Sequence, residues 1–551
     1  MNDNFRNSFS RNIFYNKYAQ GSNDTLRNLA IRLVDDVCGT MGGKASPILS
    51  QSEREYLIEC IATLKFIPGG RYLYYAGRPL HFWNNCYLLR AEEDTREEWA
   101  ALTQRSMSAL MSGGGIGSDY SRLRASGRAL SRTGGLASGP LPLMYAINEV
   151  GRNVMQGGSR RSAIYASLNW QHDDIDQFLV AKDWQNQFIH EGYSVKDAKM
   201  DNFNYHAPLD MTNISVNYDN AWLEGDDDEV FRANIRQAMM TGEPGFSFNF
   251  GDKENETLRN ACTEVTSEDD SDVCNLGSIN VGAIDSVDEL KDIVSVASKF
   301  LVCGTVRADL PYDKVRVVRE KNRRLGLGLM GLHEWLLKRG QKYEVTPELH
   351  KWLGVYKEGS EASANEHCDR LYLSRPVAYR AIAPTGSIGI LAGTTTGIEP
   401  LFAVAYKRRY LVEGTRWKYE YVVDSTAEHL INEYGTSPDS IETALSLASD
   451  PERRIKFQAD VQDYVDMSIS STINLPPWGS KENNEDKVDE FATLLATYAP
   501  RLRGFTCYPD GSRGGQPLTI ISHEEAVRHK GVVFEENDIC MISGKGGVCG
   551  E

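Results

Sequence analysis

No CxxC pair occurs among the ten cysteines of this 551-residue chain, which lie at positions 38, 60, 86, 262, 274, 303, 368, 507, 540 and 549. That spacing argues against a structural zinc site, and no metal-ligand set is expected. No run of 18 or more apolar residues is present, so no segment reads as a membrane-spanning helix. The N-terminus, MNDNFRNSFSRNIFYNKYAQ, lacks the apolar core of a secretory signal. Positive charge is in deficit: 60 Lys and Arg against 76 Asp and Glu leave a formal net charge of −16, which excludes a sequence-independent nucleic-acid surface. The GGGIG run beginning at Gly113 does not fit the dinucleotide-binding fingerprint. These absences describe a cytoplasmic protein with no membrane and no nucleic-acid role, whose dispersed cysteines stay reduced unless a disulfide is catalytic.

Hydrophobic residues at 41% and charged residues at 25% supply ample core for a globular chain. Residues 1–80 carry helical periodicity in NDTLRNLAIRLVDDVCGTM and SEREYLIECIATLKF, with the second helix expected to stop at Ile67-Pro68-Gly69-Gly70. Cys86 opens a short apolar strand. Residues 183–212 show little periodicity and read as a mobile loop, and NRRLGLGLMGLHEWLLKRG reads as a glycine-spotted helix. Helical and strand-like stretches alternate through most of the chain, which predicts an α/β fold with parallel strands. The glycines after Met111 allow close backbone approach to a ligand or another chain. Arg122, Arg124, Arg128 and Arg132 flank glycines in a loop that suits a polyphosphate or a plain solvated surface. Pro384-Thr385-Gly386-Ser387 forms an anion site if a helix starts there, and an ordinary turn otherwise.

The most informative stretch is Arg259-Asn260-Ala261-Cys262-Thr263-Glu264, with Cys274 downstream. In a helix Asn260, Cys262 and Glu264 would diverge; in an extended segment or loop tip, residues two apart share a side. The second geometry puts a carboxamide, a thiol and a carboxylate next to each other. A polar loop with one incidental cysteine remains the competing reading of these residues alone.

The blocks NNCYLL, SGGGIGSDYSRLRASG, RTGGLASGP, QGGSRRSA, NISV, NACTE, CNLGSINV, RRLGLGLMGLHE, APTGSIG, GIEPLFA, VDMSISSTINLP and GFTCYPDGSR occur in an order that resembles the large catalytic subunit of ribonucleotide reductase. The resemblance implies an α/β barrel of ten strands, two antiparallel five-stranded parallel halves around a central finger loop. It implies a helical region at 1–80 without an ATP-cone, a barrel at 81–530 and a redox tail at 531–551. It makes Cys262 the thiyl radical, Glu264 the base, Asn260 the holder of the ribose hydroxyls, and Cys86 with Cys274 the reducing pair. It places the ribonucleotide at Asn85, Gly114, Gly115, Asn260 and Glu264, with its phosphates at Pro384, Thr385, Gly386, Ser387 and Ile388. Asp94, Arg124 and Arg132 would bind a deoxynucleotide or ATP effector with Mg. Cys540 and Cys549 would carry electrons from thioredoxin or a glutaredoxin-like reductant. Tyr508 is followed by Pro509, so the tyrosine pair of relatives served by a separate metal-containing radical subunit is missing. That points to adenosylcobalamin; the lack of room for the insertion by which monomeric cobalamin-dependent relatives imitate a dimer partner points to a homodimer. The alternatives are a subunit that needs such a partner, or a nucleotide-binding regulator without chemistry.

Overall fold

The computed structural model describes residues 5–39, 48–131, 134–154, 162–202, 204–226, 228–412, 416–512 and 518–535. Its largest sheet contains β1 (Phe66–Pro68), β2 (Cys86–Arg90), β3 (Gly115–Asp119), β4 (Ile164–Asn169), β5 (Thr212–Tyr218), β6 (Gly245–Phe248), β7 (Asp272–Asn280), β8 (Leu325–Met330), β9 (Thr472–Leu475) and β10 (Gly504–Pro509). Strands β2 to β6 pair in chain order, all parallel. β7 pairs parallel with β8, and β9 with β10. Between those pairs, residues 380–382 make two single parallel bridges, Leu327 to Arg380 and Ile382 to Ile469. The two halves meet antiparallel at both edges, Cys274 opposite Cys86 and Gly504 opposite Ser247. The circuit of pairings thus returns to its start as an α/β barrel; a count of ten barrel strands includes the 380–382 segment, which single bridges hold.

Parallel neighbours need crossovers, and helices supply most of them. Two of the longer ones start on a side chain that satisfies an orphan amide: Thr95 accepts from the Glu98 amide ahead of Arg96–Met111, and Ser286 from the Glu289 amide ahead of Val287–Arg307. Glu229–Thr241 stops at Gly242, whose φ of 87° is left-handed. All nine residues of β7 are buried, as expected of a strand covered on both faces. The first eighty residues do not stand apart: Phe14, Leu33 and Leu57 share one apolar core with Phe300, Leu353 and Ile469. A smaller cluster fills the barrel interior and contains Cys86, Leu88, Leu258, Val265, Cys274 and Met467.

Three local expectations change. The second helix is Gln51–Ala62 and stops short of Pro68, because Leu64 adopts a left-handed φ of 60° and Phe66–Pro68 joins the sheet. Residues 183–212 hold a small hairpin and the helix Val195–Asp201, fixed by reciprocal capping between Ser194 and Asp197. Seven residues are too few to show a period. LGLGLM is strand β8, since its leucines alternate with glycines at period two; a Cβ on Gly328 would press on the Ala381 carbonyl, 2.6 Å away.

Candidate active site

Between β6 and β7 the chain forms a hairpin, Leu258–Arg259 paired antiparallel with Thr266–Ser267. Its tip turns at Thr263, where φ is 70°, and the Thr263 amide donates to the Asn260 carbonyl at 3.0 Å. The loop-tip placement of Asn260, Cys262 and Glu264 is therefore met, with Asn260 and Glu264 buried and Cys262 exposed. Asn213 donates from Nδ2 to the Ala261 carbonyl at 3.1 Å, and the Ser468 amide donates to the Glu264 carbonyl at 2.9 Å. Gly117 of β3 lies against the Arg259 carbonyl so closely that no Cβ fits. The glycine run does permit close approach, and the partner it admits here is the chain's own hairpin. Gly115 faces Ala261, and Gly114 faces the Tyr87 ring.

The hairpin's root is clamped by charge. Arg259, 1% exposed, donates to Asn249 Oδ1 at 2.7 Å and to the Arg503 carbonyl at 3.1 Å. Glu256 takes Arg503 at 3.0 Å and accepts from Thr266 Oγ1 at 2.6 Å. Thr257 Oγ1 donates to Asp119 at 2.6 Å.

At the tip, Asn260 Oδ1 accepts from the Val265 amide at 2.9 Å and Nδ2 donates to Cys86 Sγ at 3.0 Å. Cys86 Sγ lies 3.9 Å from Glu264 Oε1. Cys86 and Cys274 are direct cross-strand partners of β2 and β7, and neither is in a disulfide. Burial, then the nearby Glu264 carboxyl, pushes the Cys86 thiol well up; burial does the same to Cys274, with Arg324 opposing. Both therefore keep their S–H protons at neutral pH. Burial also raises Glu264 to about 7, against hydrogen bonds from Asn260, its own backbone and Cys86 that pull it down. Its Oε2 is buried with no protein partner, as is Asn85 Oδ1 beside Cys86. Cys262, by contrast, is exposed. The arrangement can hold a proton at Glu264, supply two reducing equivalents from Cys86 and Cys274, and offer one accessible thiol at Cys262.

The Pro384–Ile388 stretch follows Ala383, which packs in the same interior cluster as Cys86 and Cys274. A helix does start there, Gly386–Ala392, behind Thr385 at a left-handed φ of 51°. Thr385 Oγ1 accepts from the Gly397 amide at 2.8 Å, Ile388 is buried, and Lys17 Nζ reaches Ser387 Oγ at 3.3 Å. Lys17 gave no sequence signal; a lysine at the end of an amphipathic helix is ordinary. Asp94 and Arg124 do meet: the Arg124 amide donates to Asp94 Oδ2 at 3.0 Å, and its guanidinium pairs with the same carboxylate. They line an open surface cleft of about 790 Å³ with Arg122, Arg128 and His172, the last not anticipated. Arg132, Cys540 and Cys549 lie outside the described residues. Among the described residues no group of His, Cys, Asp and Glu could hold a metal, and no helix is long and apolar enough to cross a membrane.

Residues 84–207, 224–350 and 375–508 match the family model "Ribonucleotide reductase, barrel domain". The chain is similar to a "Vitamin B12-dependent ribonucleoside-diphosphate reductase" of Mycobacterium tuberculosis (strain CDC 1551 / Oshkosh), 28% identical over 524 residues that cover 86% of this chain and 74% of that one. A protein of the same description from Thermoplasma acidophilum is 28% identical over 542 residues, covering 88% and 68%. A "Putative adenosylcobalamin-dependent ribonucleoside-triphosphate reductase" of Mycobacterium phage D29 is 26% identical over 534 residues, covering 81% and 74%. The same fold is seen in the Actinobacillus ureae class Id ribonucleotide reductase alpha subunit, at a TM-score of 0.68 and 17% identity over 92% of this chain and 98% of that one.

Proposed function

The chain belongs to the ribonucleotide reductase family as a catalytic subunit built on its barrel domain, and on that premise we propose that it converts ribonucleotides to 2′-deoxyribonucleotides with adenosylcobalamin as radical source. The observation that carries the reading is the convergence of Asn260, Glu264 and the facing Cys86 and Cys274 around a hairpin tip whose Cys262 alone is exposed.

An exposed thiol fits a bulky external cofactor, because the group that oxidises it need not enter the packed interior. When bound, adenosylcobalamin would supply the hydrogen-atom acceptor that converts Cys262 to a thiyl radical. Cys262 then takes the ribose 3′-hydrogen. Glu264, poised near 7, accepts the proton of the 3′-hydroxyl. The Asn260 carboxamide, fixed through Val265, orients the hydroxyls and Cys86. Cys86 and Cys274 together give two hydrogens: the 2′-hydroxyl leaves as water, C2′ gains a hydrogen, and the two sulfurs join; Cys262 then returns the 3′-hydrogen and Glu264 the 3′-hydroxyl proton. Being cross-strand partners, they can form that bond without strand rearrangement.

The substrate's phosphates sit at Pro384–Ile388, with Lys17 nearby, and diphosphates are the preferred substrate. A deoxynucleotide effector occupies the Asp94–Arg124 cleft, with Arg132 as a further contact. Cys540 and Cys549 pass electrons from thioredoxin to Cys86 and Cys274 by thiol–disulfide exchange. The chain works as a homodimer in the cytoplasm.

The test is reduction of labelled ribonucleoside di- and triphosphates by the isolated chain with adenosylcobalamin added or omitted and no second subunit. Cofactor-dependent deoxynucleotide is expected. Product that requires an added metal-containing subunit would move the chain to the partner-dependent reading, and no product under either condition with bound nucleotide would leave a non-catalytic binder.

A further inference from the structure

Outside the barrel a second group of cysteines is built more reactively than the first. The helices Leu26–Cys38 and Val287–Arg307 pack together and are tied by the Arg307 guanidinium, which donates to the Asp36 carbonyl at 2.6 Å. Where they meet, Cys38 and Cys303 lie close enough to perturb each other's thiols. Cys303 is fully buried, whereas Cys38 is partly exposed. On its other side Cys303 Sγ lies 3.4 Å from His367 Nε2.

The tautomer of His367 follows from its second partner. Arg370 Nη2 lies 3.2 Å from His367 Nδ1, and a guanidinium can only donate. Nδ1 is therefore the acceptor, Nε2 carries the hydrogen, and that hydrogen points at Cys303 Sγ. The sulfur faces the His367 donor, with the Arg370 charge behind the imidazole. Burial raises the Cys303 thiol, but the Cys38 and His367 interactions and the Arg370 charge outweigh it and hold it below its ordinary value. The chain provides its own contrast: Cys60, Cys368 and Cys507, buried without such donors in combination, are pushed up to about 12, about 11 and about 12. A buried cysteine is ordinarily inert; a thiolate held by imidazole is the form that reacts.

We propose that Cys303, oriented by His367, and Cys38 form a second dithiol, separate from the barrel cysteines, that closes to a disulfide on reaction with hydroperoxides. The Cys303 thiolate attacks the peroxide oxygen, breaks the O–O bond and becomes a sulfenic acid, releasing hydroxide. The Cys38 thiol then attacks that sulfur, forming the S–S bond, and water leaves with the Cys38 proton. Two electrons pass to the peroxide. The site also touches the barrel. Gly304, next to Cys303, lies against the Tyr72 hydroxyl so closely that no Cβ fits, and that hydroxyl accepts from Asn275 Nδ2 at 2.5 Å, one residue from Cys274.

The test uses the full, reduced chain exposed to hydrogen peroxide at neutral pH and digested without reductant. A linked peptide joining Cys38 to Cys303 is expected, distinct by mass from a Cys86–Cys274 link. Cys303 should react with a small methanethiosulfonate reagent at lower pH than an ordinary thiol, while Cys60 and Cys368 stay unmodified. In Cys38→Ser the sulfenic acid should persist and be trapped by dimedone. His367→Gln should slow Cys303 oxidation about tenfold or more by removing one thiolate donor. The proposal is overturned if Cys86 and Cys274 link while Cys38 and Cys303 do not. It is equally overturned if wild-type Cys303 reacts no faster than Cys60, a result that needs no variant to fold.

Discussion

The root and the tip of the central hairpin hold the same kind of residue in opposite states. Glu256 at the root and Glu264 at the tip are both withdrawn from water, eight positions apart. Burial pushes Glu256 up, but Arg503, Arg324 and Lys253, with a hydrogen bond from Thr266, bring it to about 2. Glu264 has no cation to answer its burial and rises to about 7. Burial alone therefore does not decide a carboxyl's role; the decisive feature is whether a cation was buried with it. The root is an anchor that stays charged across the physiological range. The tip is a proton store that can be filled or emptied near neutrality.

Four experiments would break or sharpen that contrast. The largest effect is expected from Cys262→Ser at the tip: no deoxynucleotide should form, because a serine O–H is too strong a bond to yield its hydrogen. Its thermal midpoint should barely move, since an exposed substitution typically costs within about 0.5 kcal/mol. Residual turnover would undo the assignment of the whole tip. Next, Glu264→Gln should lower turnover about 10²- to 10⁴-fold, the usual range for a lost general base, with nucleotide binding kept. Third, Glu256→Gln at the root should cost about 3–5 kcal/mol in denaturant unfolding, by stranding Arg503 in a pair that is 11% and 15% exposed. If it proved as mild as an exposed change, the root would not be an anchor.

The smallest effect is in pH-dependent stability, and the two carboxyls should give opposite slopes. Glu264 is raised, so its contribution is full below its unfolded value near 4.5 and is lost as pH rises through about 7, a change of about 3 kcal/mol. Glu256 is lowered, so its contribution is full above about 4.5 and is lost as pH falls toward about 2, again about 3 kcal/mol. Unfolding free energies of Glu264→Gln should therefore be flatter than those of the parent between about 4.5 and 7, and those of Glu256→Gln flatter below about 4.5. Parallel curves in either window would remove the distinction.

The tip was legible in the sequence because its residue types are distinctive: a carboxamide, a thiol and a carboxylate at alternate positions. The root was not. Glu256, Arg503 and Arg324 are scattered over the chain, and each alone reads as a surface charge until folding brings them together. LGLGLM was misread as a helix because glycine at alternate positions imitates a helical stripe when only the leucines are counted; the demand for a bare backbone beside Ala381 is a tertiary fact. Cys38, Cys303 and His367 sit on three helices, and no local spacing links them. Asp94 and Arg124, thirty residues apart, were joined in advance only by resemblance, and the structure pairs them.

The bare backbone at Gly117 also fits one order of assembly, in which the hairpin docks before the barrel closes. The hairpin is encoded after β6 and before β7, so during synthesis the first five parallel strands are complete when it emerges, and the second half does not yet exist. A closed barrel would have no side through which a hairpin with a buried arginine at its root could enter. The first half, still an open sheet, can receive it, and the carbonyl of Arg259 settles into the notch that Gly117 leaves. The second half then closes over it along the β2–β7 and β6–β10 seams. One of those seams sets Cys86 opposite Cys274, so the two thiols come to face each other only when the two halves pair.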